Sequence, residues 1–268
     1  MSNAVAQTQS AVIRFHLNGQ EVQARPGETL LKVAQGAGIS IPHLCHKDGL
    51  ETAGNCRACV VEVADERVLA PSCCRYPTEG MKVNTQSERV LGAQKMVLEL
   101  LLSDLPEKEY TRHNEVDQWA AHLGVGKPRF KTRPQPAPDL SHPGMAVNLD
   151  ACIQCTRCVR FLKEIGGMQE LGLIGRGEHA EITAYVDKSV DSELSGNIID
   201  LCPVGALTSK PFRYSARSWE LTRRPSIAAH DGLGSHVEVH VKNDRVMRVV
   251  PREKESINEC WLSDRDRF

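Results

Sequence analysis

The residues Asp150-Ala151-Cys152-Ile153-Gln154-Cys155-Thr156-Arg157-Cys158 carry three thiols at the spacing C-x2-C-x2-C, and a fourth, Cys202, stands farther on, followed at once by Pro203. Three thiols this close are poorly placed to point together into a core, and an odd trio cannot all pair as disulfides. They can hold three corners of a [4Fe–4S] cube, with a distant Cys-Pro supplying the fourth. The bacterial ferredoxin run is C-x2-C-x2-C-x3-C-P, and its fourth cysteine serves a second cube. Leu162 stands at that position here, so the region offers ligands for one cube. Zinc is the competing reading. Zinc sites usually split their ligands into two knuckles, which the triple run fits poorly.

A second set, Cys45, Cys56, Cys59 and Cys73, follows C-x10-C-x2-C-x13-C. Gly49 and Gly54 lie in its first gap, where glycine lets backbone N–H groups approach sulfur closely. Four cysteines around a small sheet suit a [2Fe–2S] cluster, although the plant-type spacing, C-x4-C-x2-C, has a shorter first gap. Cys74 competes with Cys73. Adjacent residues on an extended chain point to opposite sides, so one of the two is expected to ligate. The other is then a small buried apolar residue. His43 and His46 bracket Cys45. A Rieske-type cluster needs two histidines on one iron, and with four cysteines present these two are expected beside the cluster or at the surface.

Other candidate ligands carry less. His236, Glu238 and His240 share one strand face without an evident fourth zinc ligand, and are expected to form the wet face of an antiparallel strand. His113, His122 and His142 are isolated and are expected to be solvated or capping groups. Cys260 stands alone and is expected to pack.

The chain has 268 residues, ten cysteines and a formal net charge of −1. That charge argues against a partner bound through nucleic-acid phosphates. No apolar run approaches the roughly 18 residues that would span a bilayer, so membrane contact is expected only through partners. The first residues show neither a basic stretch nor an apolar one of secretory type. The expected location is therefore cytoplasmic, where thiols stay reduced and clustered cysteines favour metal over disulfides.

The elements that must position these thiols read as an α+β chain. Residues 12–17 alternate as a strand, Asn18-Gly19 makes a two-residue hairpin turn, and residues 21–24 return. Residues 28–36 form a helix with Leu30, Leu31 and Ala34 inward, the opening of a β-grasp fold. Residues 60–63 and 67–70 form a second hairpin. Thr85-Gln86-Ser87-Glu88 reads as a capping box before a helix with Val90, Ala93, Val97, Leu100 and Leu101 on its apolar stripe. A linker rich in proline (Pro128, Pro134, Pro136, Pro138, Pro143) contains one helical piece, Glu115–Leu123. Beyond it, residues 159–165 and 191–200 read as helices and 181–186 as a strand, a ferredoxin-like module. Residues 237–241 and 245–250 make a last hairpin, the only new structure expected near the end. The expected domains are 12–84 for the [2Fe–2S] ferredoxin type, 85–146 for helix and linker, 147–222 for the [4Fe–4S] module, and 223–268 for the start of a molybdopterin-oxidoreductase-like domain.

With both cysteine sets placed, the sequence resembles the N-terminal iron–sulfur region of the 75-kDa subunit family of respiratory complex I. The resemblance is carried by Cys45-x10-Cys56-Arg57-Ala58-Cys59-Val60-Val61-Glu62-Val63, by Cys152 to Phe161, by Gly175-Arg176-Gly177-Glu178-His179-Ala180-Glu181-Ile182, and by Ser192-Glu193-Leu194-Ser195-Gly196-Asn197. The run Leu201-Cys202-Pro203-Val204-Gly205-Ala206-Leu207-Thr208-Ser209-Lys210-Pro211-Phe212 completes it. Related families are the alpha subunits of NAD-dependent molybdenum formate dehydrogenases and the small diaphorase subunits of NAD-reducing hydrogenases. The resemblance favours Cys73 over Cys74. It implies an electron-transfer subunit with one [2Fe–2S] and one [4Fe–4S] cluster. The implied partners are a flavin/NADH-binding subunit and a catalytic or quinone-side redox subunit. The family usually carries H-x3-C-x2-C-x5-C after the long helix, holding a second cube. Here Asp104-Leu105-Pro106 and a cysteine-free linker stand in its place. Residues 226–268 resemble the first hairpin of the domain that follows, without the cysteines that bind a cube there in catalytic relatives. A zinc-stabilised interaction module and the N-terminal fragment of a larger molybdenum enzyme are the alternative readings.

Overall fold

The computed structural model describes residues 12–106, 114–130, 142, 144–184 and 190–268. His113, Pro134, Pro136, Pro138, Pro143 and the end of the expected 181–186 strand lie outside the described residues. The chain forms two compact units. Among the described residues, the first comprises 12–47, 52–102 and 116–130, and the second comprises 48–51, 103–106, 114–115, 142, 144–184 and 190–268.

Unit 1 opens with strands β1 (Ile13–Leu17) and β2 (Gln20–Ala24), paired antiparallel from Ile13↔Ala24 to Leu17↔Gln20. Asn18 and Gly19 both have positive φ, 51° and 83°, as a two-residue hairpin turn requires. Helix α1 (Leu30–Gly36) starts later than the apolar pattern suggests, because the Thr29 hydroxyl caps it by accepting from the Lys32 N–H. Leu30, Leu31 and Ala34 face inward as expected. Strand β3 (Val60–Val63) pairs with the very short β4 (Ala70–Pro71), so of the expected return strand 67–70 only Ala70 takes part. Val68, read as part of that return strand, is exposed.

Strand β5 (Lys82–Asn84) lies parallel to β1 and antiparallel to β3. It completes a five-stranded sheet of order β2-β1-β5-β3-β4. Phe15, Leu17, Leu30, Leu31, Val61 and Val83 close the core between sheet and helix. Each such side chain contributes about 1.5–3 kcal/mol by leaving water.

Helix α2 (Glu88–Asp104) corrects two expectations. Its N-terminal cap is Ser87, whose Oγ accepts from the Val90 N–H at 3.3 Å. Thr85 does not serve there: its hydroxyl accepts from Asn18 Nδ2 at 2.9 Å. The inward stripe runs through Val90, Gln94 and Leu98, and Leu100 is exposed. Gln94 escapes apolar pattern-reading because its amide donates to the Val60 carbonyl at 3.0 Å, which satisfies a buried polar group. Helix α3 (Glu115–Leu123) has the expected bounds and buries Val116 and Ala120.

In unit 2, β6 (Met145–Val147) leads through a tight turn at Leu149–Ala151 to α4 (Arg157–Glu164). β7 (Leu171–Ile174) pairs antiparallel with β8 (Glu181–Ala184). The expected helix over 191–200 is only α5 (Asn197–Leu201). The residues before it are held in turns: the Gly196 N–H donates to Asp264 Oδ1 at 2.7 Å, and the Asp191 N–H to Glu170 Oε1 at 2.9 Å. β9 (Leu207–Ser209) returns to pair with β6. Phe161, Leu162, Ile198 and Leu201 anchor this core.

The end of the chain holds more than one hairpin. Strands β10 (Thr222–Ile227), β11 (His236–Lys242) and β12 (Arg245–Pro251) form a three-stranded antiparallel sheet, and α6 (Asp264–Arg267) follows. β10 is an exposed edge strand, which is where Pro225 can be tolerated.

Candidate metal centres

In unit 1 the loop between residues 72 and 75 is clamped by the start of α1. The Leu30 and Leu31 N–H groups, which lack partners within their own helix, donate to the carbonyls of Arg75 and Ser72 at 2.8 and 3.0 Å. The Ser72 hydroxyl donates to the Cys59 carbonyl at 2.7 Å. These bonds bring Cys73 against the Cys56–Cys59 turn. Within that turn Arg57 is left-handed, with φ of 59°, and the Ala58 N–H faces the Cys56 sulfur.

The four sulfurs meet in pairs. Cys45 contacts Cys56 and Cys73, and Cys59 contacts Cys73. The Cys45 N–H donates to Cys56 Sγ at 3.4 Å. Thiol donation from Cys56 and Cys73 holds Cys45 far below the usual thiol range, and donation from Cys73 brings Cys59 down to about 7. Cys56 and Cys73 are pushed up, because each keeps the proton its neighbours share. Proton sharing thus lowers Cys45 and Cys59 and raises Cys56 and Cys73, and ligation as thiolates would release the shared protons.

Cys74 lies beside this quartet, its Sγ 3.5 Å from Cys73 Sγ. His43 donates from Nδ1 to the Ile41 carbonyl at 2.8 Å, and its ring packs 5.7 Å from Trp119 and 6.0 Å from His46. The two histidines therefore form part of an aromatic cluster next to Cys45.

In unit 2, Cys152, Cys155, Cys158 and Cys202 border a single cavity of about 290 Å³, walled by Met145, Leu171, Ile182 and Leu207. Gln154 and Thr156 are left-handed, with φ of 48° and 59°. This backbone turns successive N–H groups toward sulfur, a nest for negative charge. The Gln154 N–H donates to Cys152 Sγ at 3.4 Å, and the Arg157 and Val159 N–H groups face Cys155 and Cys158. After Pro203 the chain turns at Gly205, φ 68°, and the Ala206 N–H donates to Cys202 Sγ at 3.2 Å. Burial, then the nearby Cys202 sulfur, pushes the Cys155 thiol up to about 12, and burial pushes Cys158 well up. Negative sulfur in this cavity therefore calls for a positively charged occupant. Among the described residues no three His, Cys, Asp or Glu side chains close on one ion-sized point. Four thiols spread around a cavity instead suit a cluster whose irons each take a different sulfur. The residues fit the group that their spacing suggests.

Two neighbours escaped the sequence reading. Arg157 is buried beside the cavity, its guanidinium held by both carboxylate oxygens of Glu115 at 2.7 and 2.8 Å and by the Leu201 carbonyl at 3.1 Å. Burial alone would lower its pKa, yet Glu115 and the thiols of Cys155 and Cys202 hold it above the ordinary value. A charged residue inside a cysteine turn was the available signal. His142 does cap backbone, as expected, and it also lines the cavity. The His236-Glu238-His240 face is not simply wet. His240 is buried, its Nε2–H donating to Glu238 at 2.7 Å and its Nδ1 accepting from Arg248 at 2.9 Å. Cys260 is half-buried.

Three family models match parts of the chain. Residues 10–88 match the 2Fe-2S iron-sulfur cluster binding domain family. Residues 143–208 match the ferredoxin-like domain of NADH-quinone oxidoreductase subunit 3. Residues 221–268 match the 4Fe-4S domain of NADH-ubiquinone oxidoreductase NDSU1/NuoG-like proteins. That last stretch holds one cysteine, Cys260, so its own thiols do not suffice for a cube.

An NADH-quinone oxidoreductase subunit of Rickettsia felis is 40% identical over 262 residues, covering 96% of this chain and 39% of that protein. The mitochondrial NADH dehydrogenase iron-sulfur protein 1 of Solanum tuberosum is 41% identical, with 96% and 36% covered. The NADH-ubiquinone oxidoreductase 75 kDa subunit of Reclinomonas americana is 39% identical, with 96% and 38% covered. The chain thus spans about two fifths of the length of these relatives. A chain in the solved structure of an NAD+-reducing [NiFe]-hydrogenase in the H2-reduced state shares 29% identity at a TM-score of 0.68, covering 77% of this chain and 91% of that one. Domain order, thiol placement and these likenesses coincide, and over the residues it spans the chain belongs to the iron–sulfur region of the 75-kDa subunit family of NADH-quinone oxidoreductases.

Proposed function

We propose that the chain relays single electrons between a flavin/NADH-oxidising partner and a second redox partner. Cys45, Cys56, Cys59 and Cys73 hold a [2Fe–2S] cluster in a β-grasp domain, and Cys152, Cys155, Cys158 and Cys202 hold a [4Fe–4S] cluster in a ferredoxin-like one. The observation that carries this reading is the gathering of eight thiols into two quartets, one in each compact unit. Bound clusters supply reversible one-electron uptake. The chain's own residues deprotonate, aim backbone N–H groups at sulfur, and wall off water with apolar side chains. These are the means by which a protein sets a potential without making bonds. Location in the cytoplasm, and contact with a membrane only through partners, go with this role.

A second reading places the chain in an NAD-linked hydrogenase or formate dehydrogenase assembly. It is favoured by the missing H-x3-C-x2-C-x5-C motif and by the 91% coverage of the hydrogenase chain.

Iron, sulfide and EPR analysis of anaerobically purified protein tests the relay. Two reducible signals of distinct relaxation are expected, with NADH reducing them only when a flavin-bearing partner is present. A folded, colourless, iron-free protein would sink the relay and favour a zinc-bound interaction module. Copurifying formate or hydrogen activity would decide for the second reading.

A further inference from the structure

We propose that His142 donates a hydrogen bond from Nε2–H to the cube held by Cys152, Cys155, Cys158 and Cys202, and that this raises the cube's reduction potential. The inference rests on the [4Fe–4S] reading of that cavity. His142 lines the cavity together with all four cysteines. Its Nδ1 accepts from the Gly144 N–H at 3.1 Å and from the Met145 N–H at 2.9 Å. A ring nitrogen that accepts from two backbone donors carries no proton, so in the neutral imidazole the proton sits on Nε2. The backbone thereby fixes both the tautomer and the orientation of the ring.

The residue is also anchored through its carbonyl, which accepts from Lys210 Nζ at 3.1 Å, and β6 begins at Met145. Of the other polar side chains at the cavity, Thr156, Arg157 and Thr183, the first two are already committed. The Thr156 hydroxyl donates to the Cys155 carbonyl at 2.8 Å, and Arg157 is taken up by Glu115 and Leu201. Among the described residues the hydrogen bonds of the ring are both at Nδ1. His142 is half-buried, and an N–H at the edge of a sulfur-lined cavity is served by an acceptor within it. Sulfur that grows more negative on reduction is one, and hydrogen bonds to cluster sulfur favour the reduced state. His142 is thus a positioning residue that tunes the cube and ligates nothing.

Two substitutions and one label separate this role from a structural one. In His142→Asn the side-chain oxygen can take the place of Nδ1, which keeps the backbone acceptor and removes the Nε2 donor. In His142→Gln an N–H can reach the Nε2 position. EPR-monitored redox titration of the anaerobically loaded protein is expected to show a lower cube midpoint in His142→Asn, a midpoint nearer the parent in His142→Gln, and an unchanged [2Fe–2S] midpoint in both. Pulsed EPR of the reduced parent labelled with [15N]histidine is expected to show a nitrogen coupling to the cube, which decides the matter even where a variant fails to load. Absence of that coupling in the parent, or an unchanged midpoint in loaded His142→Asn, overturns the proposal. Absence of any cube signal in the parent overturns the reading beneath it.

Discussion

Arg157 and Glu115 form a two-pronged ion pair in which the guanidinium is buried and the carboxylate stays 39% exposed. The asymmetry fixes which partner matters more. Glu115→Ala strands a buried cation, whereas Arg157→Met leaves a carboxylate that water can still reach. The expected cost is roughly 3 kcal/mol for Glu115→Ala and about 1–2 kcal/mol for Arg157→Met. Urea unfolding of the two variants checks the order, and a costlier Arg157→Met would refute it.

Cys73 and Cys74 are separable by substitution. Cys73 meets both Cys45 and Cys59, while the Cys74 sulfur lies beside Cys73. Cys73→Ser is expected to abolish the [2Fe–2S] absorbance, and Cys74→Ser to leave iron content and spectrum intact. A full cluster in Cys73→Ser would reverse the assignment.

Gly54 should tolerate no side chain. Its φ is +64°, and an added Cβ would come within 2.7 Å of Cys74 Sγ. Gly54→Ala is expected to cost roughly 1–2 kcal/mol from backbone strain alone, with a further steric share. Pairing it with Cys74→Ala should recover only the steric part. A double-mutant cycle measures this, and zero coupling energy would show that the two groups do not meet.

Acid should weaken one contact in unit 1. Arg129 donates to both oxygens of Glu99, at 2.7 and 2.8 Å, and holds that carboxyl down to about 2 from an ordinary 4.5. A depressed carboxylate contributes stability that is present above its ordinary pKa and lost as pH falls through the depressed one. The contact should therefore weaken between about 4.5 and about 2. An NMR titration of Glu99 is expected to move toward the ordinary range in Arg129→Ala, stopping short of it because the backbone N–H of residue 129 still donates to Oε1 at 3.0 Å, and an unmoved titration would dismiss the side-chain pair.

The parts of the fold that were legible are those set by neighbours in sequence. Asn18-Gly19 and Asn243-Asp244 announce their turns because positive φ selects those residues. The thiol quartets are legible because cluster ligation constrains spacing directly. Strands β5 and β10 were missed, being defined by distant partners: β5 by the parallel β1, and β10 by β11. Gln94 broke the apolar stripe of α2 because its amide serves the Val60 carbonyl. Residues 191–196 have a helical look, yet Glu170 and Asp264, each far away in sequence, take their N–H groups for other bonds. His142 was visible only as a cap, because the cavity beside it is assembled from segments that sequence order keeps apart.

Cys202 arrives on the residue after α5, remote along the chain from the three thiols it joins. Any cluster bound there staples two distant stretches and closes a long loop, so chain entropy is withdrawn from the unfolded state as well as contacts added to the folded one. Iron supply then acts as a folding ligand for this half of the molecule. Starvation for iron or oxidative loss of the cluster should loosen the Cys202 arm and α5, turning a redox lesion into a proteolytic one.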